Sequence, residues 1–283
     1  MTSNALEVRN LRKTFKDFCL DDISFSLPNG FIMGLVGKNG AGKTTTIKLI
    51  LELLQKEAGM IKIFGKEINR DFDIKQDIAV VFDDLFFVDD WKISDVESAL
   101  APFYSRWDTH TFHSYLKKFN LTTNKKVKEL SKGMKMKLML SVALSHKARL
   151  LILDEPTSGI DPVARDELLD ILLHYIEDEN NSILFSTHIT SDLDKIADYL
   201  TIINNGTIFY TGTKDGLFEK YCIVKGGLEL LTTETEKYLL GIQKGSTGFS
   251  ALLDIDNIKY ITPDMVTEKA TIDDVLIHVN LEK

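Results

Sequence analysis

Eight residues near the start of the chain, Gly37-Lys38-Asn39-Gly40-Ala41-Gly42-Lys43-Thr44, constrain the fold more than any other stretch. They fit G-x-x-x-x-G-K-[ST], the P-loop pattern, whose glycines let backbone N–H groups turn inward around phosphate oxygens. Such a loop needs a strand before it and a helix after it. Phe31-Ile32-Met33-Gly34-Leu35-Val36 is a short apolar run of strand type, and Thr45-Thr46-Ile47-Lys48-Leu49-Ile50-Leu51 reads as the start of a helix reaching about Gln55. The helix N-terminus adds roughly half a positive charge. Lys43 brings a point charge for outer phosphates, and the Thr44 hydroxyl suits Mg²⁺. A plain glycine-rich turn has no need of Gly, Lys and Thr at these offsets.

Three more apolar runs end in polar residues. Ile78-Ala79-Val80-Val81-Phe82 stops at Asp83-Asp84, Leu150-Leu151-Ile152-Leu153 at Asp154-Glu155, and Ile183-Leu184-Phe185-Ser186-Thr187 at His188. Buried parallel strands read this way, and their C-terminal edge is where ligands sit. Asp154 suits Mg²⁺, and Glu155, one residue on, is placed to hold a water. An acidic strand end also caps a following helix, but the phosphate loop favours the metal reading. A lone histidine is usually structural; its place at a strand end makes His188 a functional candidate.

Between about 84 and 146 the pattern turns helical, with Trp91, Leu100, Phe103, Tyr104, Tyr115, Leu116 and Phe119 as predicted core. Ser131 is placed as the N-cap of a helix holding Leu138, Val142 and Leu144. Lys132, Lys135 and Lys137 crowd that helix start. A solvated face accounts for them, yet cations oppose the dipole there unless an anion is present. Asp161 and Pro162 read as N-cap and first-turn proline of a helix to about Asp178. Leu193, Ile196, Ala197 and Leu200 recur at helical spacing, and Asn205-Gly206 reads as a hairpin turn. Residues 5 to 30 alternate as strands around Phe15, which by spacing alone is an edge or core aromatic. Beyond Tyr221 strands are expected at Ile223-Val224 and Ser250 to Leu253, and helices near Glu234–Gln243 and Thr271–Val279.

At 283 residues and 44% hydrophobic, the chain can bury a large domain or one and a half. The formal net charge of -8 argues against nucleic acid as a partner. No apolar run approaches the roughly 20 residues that span a bilayer. Met1-Thr2-Ser3-Asn4 leads directly into alternating Leu6-Glu7-Val8-Arg9, so no signal peptide is expected. Cys19 and Cys222 fit no metal spacing and suit a reducing cytosol.

The ordered motifs over residues 5 to 215 resemble the nucleotide-binding subunit of an ATP-binding cassette (ABC) transporter. Gly37 to Thr44 resembles the Walker A motif, and Leu150 to Asp154 the Walker B motif, with Glu155 at the catalytic glutamate. Leu130-Ser131-Lys132-Gly133-Met134 resembles the signature loop, Ser158 to Asp161 the D-loop, His188 the switch histidine and Phe15 the adenine-stacking aromatic. The resemblance implies an α/β fold. A P-loop NTPase (RecA-like) core would carry an antiparallel β subdomain and an inserted α-helical subdomain, with a small C-terminal α+β extension. The implied division is 1–220 for the ATP-binding domain, with the helical subdomain at about 84–147, and 221–283 for the extension.

It also implies ATP with Mg²⁺, the metal held by Thr44, Asp154 and Asp83. ATP would contact Phe15, Gly37, Lys38, Asn39, Gly40, Ala41, Gly42, Lys43, Thr44, Thr45 and Asp161, with Ser131 and Gly133 closing from a second copy. Glu155 and His188 would be catalytic. The implied partners are a second ATP-binding subunit, as homodimer or heterodimer, and a separate transmembrane permease. The chain would lie on the cytoplasmic face of the membrane as an ATPase powering an exporter of peptides, antimicrobials or amphipathic compounds. Two other readings are a soluble ABC-type ATPase in assembly or regulation and a weakly catalytic regulatory subunit.

Two motifs depart from the family pattern. Lys132 replaces a signature glycine, with Met134 in place of glutamine, and Asp83 replaces the Q-loop glutamine. Without metal, a carboxylate near the γ-phosphate repels it by about 4 kcal/mol at 4 Å and intermediate dielectric. ATP affinity is therefore expected to depend on Mg²⁺ more strongly than in Asp83→Gln. Titrations with and without Mg²⁺ check this; an equal ratio in both proteins refutes it.

Overall fold

The computed structural model describes residues 3–68, 72–83 and 87–281. Asp84 and the first residues of the expected helical segment lie outside them, as do the outermost residues of the domain division. The chain begins with two antiparallel strands, β1 (Asn4–Thr14) and β2 (Cys19–Pro28). Then follow β3 (Ile32–Val36), α1 (Lys43–Ile50), β4 (Ala58–Ile63) and β5 (Ile78–Val81). A helical segment holds α2 (Ile93–Leu100), α3 (Thr109–Lys118) and α4 (Lys132–Ser145). The chain returns through β6 (Leu150–Asp154), α5 (Pro162–Tyr175), β7 (Ser182–Thr187), α6 (Thr190–Ile196), β8 (Tyr199–Asn204) and β9 (Thr207–Thr213). It continues with α7 (Lys214–Lys220), β10 (Tyr221–Gly226), α8 (Thr233–Glu236), β11 (Leu239–Lys244), β12 (Phe249–Asp254), β13 (Val266–Lys269) and α9 (Ile272–Leu281).

The described residues form three sheets, ordered β2-β1-β4, β5-β6-β7-β3-β8-β9 and β11-β12-β10-β13. In the six-stranded sheet, β5, β6, β7, β3 and β8 run parallel and β9 antiparallel. Every residue of β3, β6 and β7 is buried, because layers cover both faces of the sheet. The period-2 alternation divides their side chains. Leu151, Leu153, Ile183 and Phe185 enter the core shared with the helical segment, and Met33, Leu35, Ile152 and Leu184 the core shared with α1 and the β2-β1-β4 sheet. Each such burial contributes about 1.5–3 kcal/mol. The sheet β11-β12-β10-β13 has its own smaller core around Val224, Ala251 and Leu253. Helix α9 joins it to the rest: His278 Nδ1 lies 2.7 Å from Gly241 O, and Asp273 accepts from Thr190 Oγ1 at 2.7 Å.

Several expectations are corrected. Helix α1 stops at Ile50, not near Gln55. Glu52 turns left-handed at φ 57°, and the N–H groups of Leu53 and Leu54 fold back on Lys48 O. Leu200 is not helical but pairs with Gly34 in the sheet. Asp198 ends the helical run: its N–H bonds Ile32 O and its carboxylate accepts the Ile32 N–H at 2.9 Å. The expected helix over Glu234–Gln243 is a single turn, α8, followed by β11, whose alternating burial pairs it with β12. Helix α5 ends at Tyr175, before Asp178. Phe103, expected in the core, is 75% exposed. Strand β13 and helix α7 had no counterpart in the sequence reading.

Asp77 ties the helical segment to the sheet. Its two oxygens pair with Arg106 and Arg149, both at 2.6 Å, and Arg149 lies 4.0 Å over the Phe64 ring. Burial alone pushes the Asp77 carboxyl up, but the bonds and charges of Arg149 and Arg106 outweigh it and hold it below its usual value. A depressed carboxylate contributes stability above its unfolded pKa of about 3.9, and that contribution is lost as pH falls through the folded value. Asp77→Asn is expected to lower the unfolding temperature by about 2–4 °C at pH 7. The deficit should shrink below about pH 4. Thermal melts at both pH values check it; a pH-independent deficit contradicts the assignment.

Candidate functional site

Strands β6, β7 and β3 are neighbours, and all three end at the same edge of the sheet. The residues following them therefore meet. After β3 the loop folds closely enough that a Cβ on Gly37 would lie 2.4 Å from Ile203 O. Gly42, at φ 118°, starts α1, and a Cβ there would press on Leu20 at 2.7 Å and Phe18 at 3.0 Å. The hairpin turn between β8 and β9 supports the loop, since Gly206 N–H donates to Ala41 O at 3.0 Å. Lys38, Asn39 and Gly40 are exposed, as is Thr44, while Thr45 is half-buried.

Lys43 is only 5% exposed. Its ammonium donates to Gly37 O at 2.8 Å and Lys38 O at 3.4 Å, and pairs with Glu155 Oε1 at 3.1 Å. The second Glu155 oxygen lies 2.7 Å from His188 Nδ1. Loop, glutamate and histidine thus share one carboxylate. Glu155 has φ 52°, a conformation costing a non-glycine residue about 1–3 kcal/mol, and its N–H is fixed on Ser186 O at 2.9 Å. That turn swings Glu155 toward Lys43 and His188, while Asp154 remains 4% exposed at the strand end.

Burial pushes the Asp154 carboxyl up; the Thr44 and Ser186 hydroxyls lower it in part, the Glu155 charge raises it and Lys43 lowers it. Asp154 Oδ1 and Ser186 Oγ are both buried without a hydrogen-bond partner of ordinary geometry. An orphaned carboxylate oxygen beside Thr44 fits a hard cation that prefers oxygen ligands.

The signature side is arranged differently. Ser131 caps α4, accepting from Met134 N at 3.3 Å, and Asp161 caps α5, accepting from Val163 N at 3.1 Å and Ala164 N at 3.0 Å. Those bonds are local and do not join the Lys43 cluster. Gly133 faces Ile160. Lys132 pairs with Asp83 at 2.6 Å, and its ammonium lies 3.5 Å from where a Gly159 Cβ would stand. Phe15 keeps 40% of its surface exposed on the flank of the loop, 6.4 Å from Phe18.

The ABC transporter family model matches residues 20–158. The lantibiotic transport ATP-binding protein SrtF of Streptococcus pyogenes is 32% identical over 219 residues, 75% of this chain and 92% of that protein. The chain belongs to the ABC transporter ATP-binding proteins. The ATP-binding protein YtrB of Bacillus subtilis is 29% identical over 217 residues, 76% of this chain and 74% of that one. A solved ATP-binding subunit of an ABC transporter superposes with a TM-score of 0.69 at 28% identity, over 75% of this chain and 91% of its own. The fold is thus the P-loop NTPase fold of ABC ATPases, and the chain is an ATPase subunit that hydrolyses ATP in transport.

Within this ABC ATPase, three polar side chains near Glu155 and His188 were not singled out from the sequence: Thr157, Arg165 and Asp192, with Asp192 bonded to each of the other two. A signal existed for Asp192. It stands four residues before Ile196 and beside Leu193, on the buried face of α6. The Asp83–Lys132 pair was also beyond the sequence reading, because 49 residues separate the partners. Val81 pairs with Leu153 in the sheet, so Asp83 follows β5 at the same sheet edge where Glu155 follows the neighbouring strand β6. Lys132 therefore offsets a negative charge close to the site. Lys132→Gly is expected to weaken Mg²⁺-free ATP binding about threefold to tenfold, and adding Asp83→Gln should restore most of it. Equilibrium titration of the two variants measures this. A double variant no better than the single one shows that the pair carries no electrostatic coupling.

Proposed function

We propose that this chain is the ATP-hydrolysing subunit of an exporter of peptides, antimicrobials or other amphipathic compounds, driven by ATP-dependent dimer closure. The Glu155 carboxylate shared by Lys43 and His188 carries the hydrolytic part of the reading. The cargo class rests on SrtF, named for lantibiotic transport, and on a 34% identical Burkholderia lata protein named for Nod factor export.

In this reading ATP lies along Gly37, Lys38, Asn39, Gly40, Ala41, Gly42, Lys43, Thr44 and Thr45, with its base on Phe15. Polyphosphate gives Lys43 an anionic partner in place of Glu155, which frees the carboxylate to orient or deprotonate a water. His188 keeps Glu155 in place and contacts the γ-phosphate. The unpartnered oxygen of Asp154 and the Thr44 hydroxyl would hold Mg²⁺, with Asp83 joining once released from Lys132. The metal would neutralise charge on the transferring phosphoryl group.

Ser131, Gly133 and Asp161 of a second subunit would close over the nucleotide. The α4 N-terminus that Ser131 caps is a surface suited to a phosphate presented from outside. Residues 1–220 would form the ATP-binding domain, about 84–147 its helical subdomain and 221–283 a C-terminal extension. Among the described residues no helix is long and apolar enough to cross a membrane. A separate permease would therefore bring the protein to the cytoplasmic face, docking against the helical subdomain. The altered signature and Asp83 favour one second reading, a weakly catalytic regulatory subunit. A steady-state phosphate-release assay separates the two.

Glu155→Gln is expected to bind ATP, to lose about 10²-fold or more of its hydrolysis rate, and to dimerise with ATP. Phosphate release and sedimentation with ATP measure both properties. A monomer under saturating ATP sinks the sandwich, and a near-normal rate sinks the role of Glu155.

A further inference from the structure

Asp192 lies in the first turn of α6, where an acidic residue ordinarily needs no explanation beyond the helix dipole. Its surroundings demand more. The residue is 1% exposed, and an ionised carboxylate so deeply buried must be paired and hydrogen-bonded. Its Oδ2 accepts from Thr157 Oγ1 at 2.6 Å, and its Oδ1 accepts from Arg165 Nε in α5. The same guanidinium donates through Nη2 to Ser191 Oγ at 2.7 Å. Thr157 is itself 1% exposed.

The chain positions of these partners give the network its meaning. Thr157 is two residues after Glu155, and α6 begins two residues after His188. The Glu155 turn is therefore held at both ends, by Ser186 O at its amide and by Asp192 through Thr157. The histidine loop is held by the same carboxylate through α6. At the reacting edge the two loops are joined by the 2.7 Å Glu155–His188 contact and by the Glu155 N–H on Ser186 O; a brace away from that edge is a separate link. Asp192 supplies that link from behind, without touching the reacting groups.

We propose that Asp192 is a positioning residue for ATP hydrolysis, with Thr157 and Arg165 as its partners, setting the Glu155 loop and the His188 loop at one fixed separation. This rests on the roles given above to Glu155 and His188. A displacement of about 1 Å in such a constellation costs as much as a hundredfold in rate while leaving remote binding contacts intact. The phosphate loop draws nothing from Asp192, so ATP binding should survive its loss.

The test compares Asp192→Asn and Thr157→Val with the unaltered full chain, by steady-state phosphate release over a range of ATP concentrations and by thermal melts. Asp192→Asn should lower kcat about tenfold to a hundredfold with KM for ATP within about twofold. Thr157→Val keeps the shape and the Asp192–Arg165 pair and removes one hydrogen bond. It should lower kcat less, in the same direction and again without raising KM. Were Asp192→Asn not to fold, Thr157→Val alone decides the matter. The proposal is overturned by an unchanged kcat in Thr157→Val, or by KM rising in step with the loss of kcat. Glu155→Gln serves as the control on the underlying roles. If it retains normal hydrolysis, the role of Glu155 fails, whatever Asp192 does.

Discussion

One carboxylate holds the site together. Glu155 lies between a buried ammonium and an imidazole, 3.1 Å from Lys43 and 2.7 Å from His188. Lys43 is nearly enclosed by its own loop, so its charge needs a counter-charge, and the loop carbonyls of Gly37 and Lys38 supply only dipoles. Glu155 supplies the charge. The loop after β3, the turn after β6 and the tip after β7 thereby become one electrostatic unit. An anion arriving in the loop competes for the same ammonium, which makes the state of Glu155 sensitive to what the loop holds.

That unit exists because of the layering beneath it. Parallel strands run their C-termini to one edge, and strands packed on both faces cannot slip in register without disrupting the close packing on each. Leu153 and Phe185 anchor one face, Ile152 and Leu184 the other. A sheet so fixed can carry the left-handed turn at Glu155, whose conformational cost is modest beside the burial of the strand that leads into it. The buried Asp192 network repeats the same logic one layer back, joining α5, α6 and the glutamate turn through a carboxylate that water does not reach.

Two of the positions at which this chain leaves its family's pattern are joined to each other. Asp83 introduces a negative charge beside the site and Lys132 a positive one, and they meet at 2.6 Å. Each supplies a counter-charge to the other, and together they connect the start of α4 to the end of β5. Both side chains are nearly half exposed, so the pair is weak in energy and open to exchange. Its interest lies in which groups it ties together.

The sequence by itself determined the parts whose chemistry is local. Gly37 to Thr44 specify a phosphate loop because the backbone conformation and the hydroxyl and ammonium offsets are set within eight residues. The continuous apolar runs at Ile78, Leu150 and Ile183 specify buried parallel strands, and their polar ends specify an edge where a site can form. Ser131 and Asp161 were legible as caps for the same reason. The failures were also physical. Leu200 keeps helical spacing with Leu193, but the Asp198 contacts with Ile32 end the helix, and only the strand order brings those residues together. The Leu239 to Lys244 stretch suits a helix or a strand until β12 offers it a partner. Tertiary structure alone decided that Glu155 would be shared, that Asp83 would meet Lys132, and that Asp192 would turn inward. Each is a contact between residues distant in sequence, and only packing determines which polar groups lose water together and must therefore find one another.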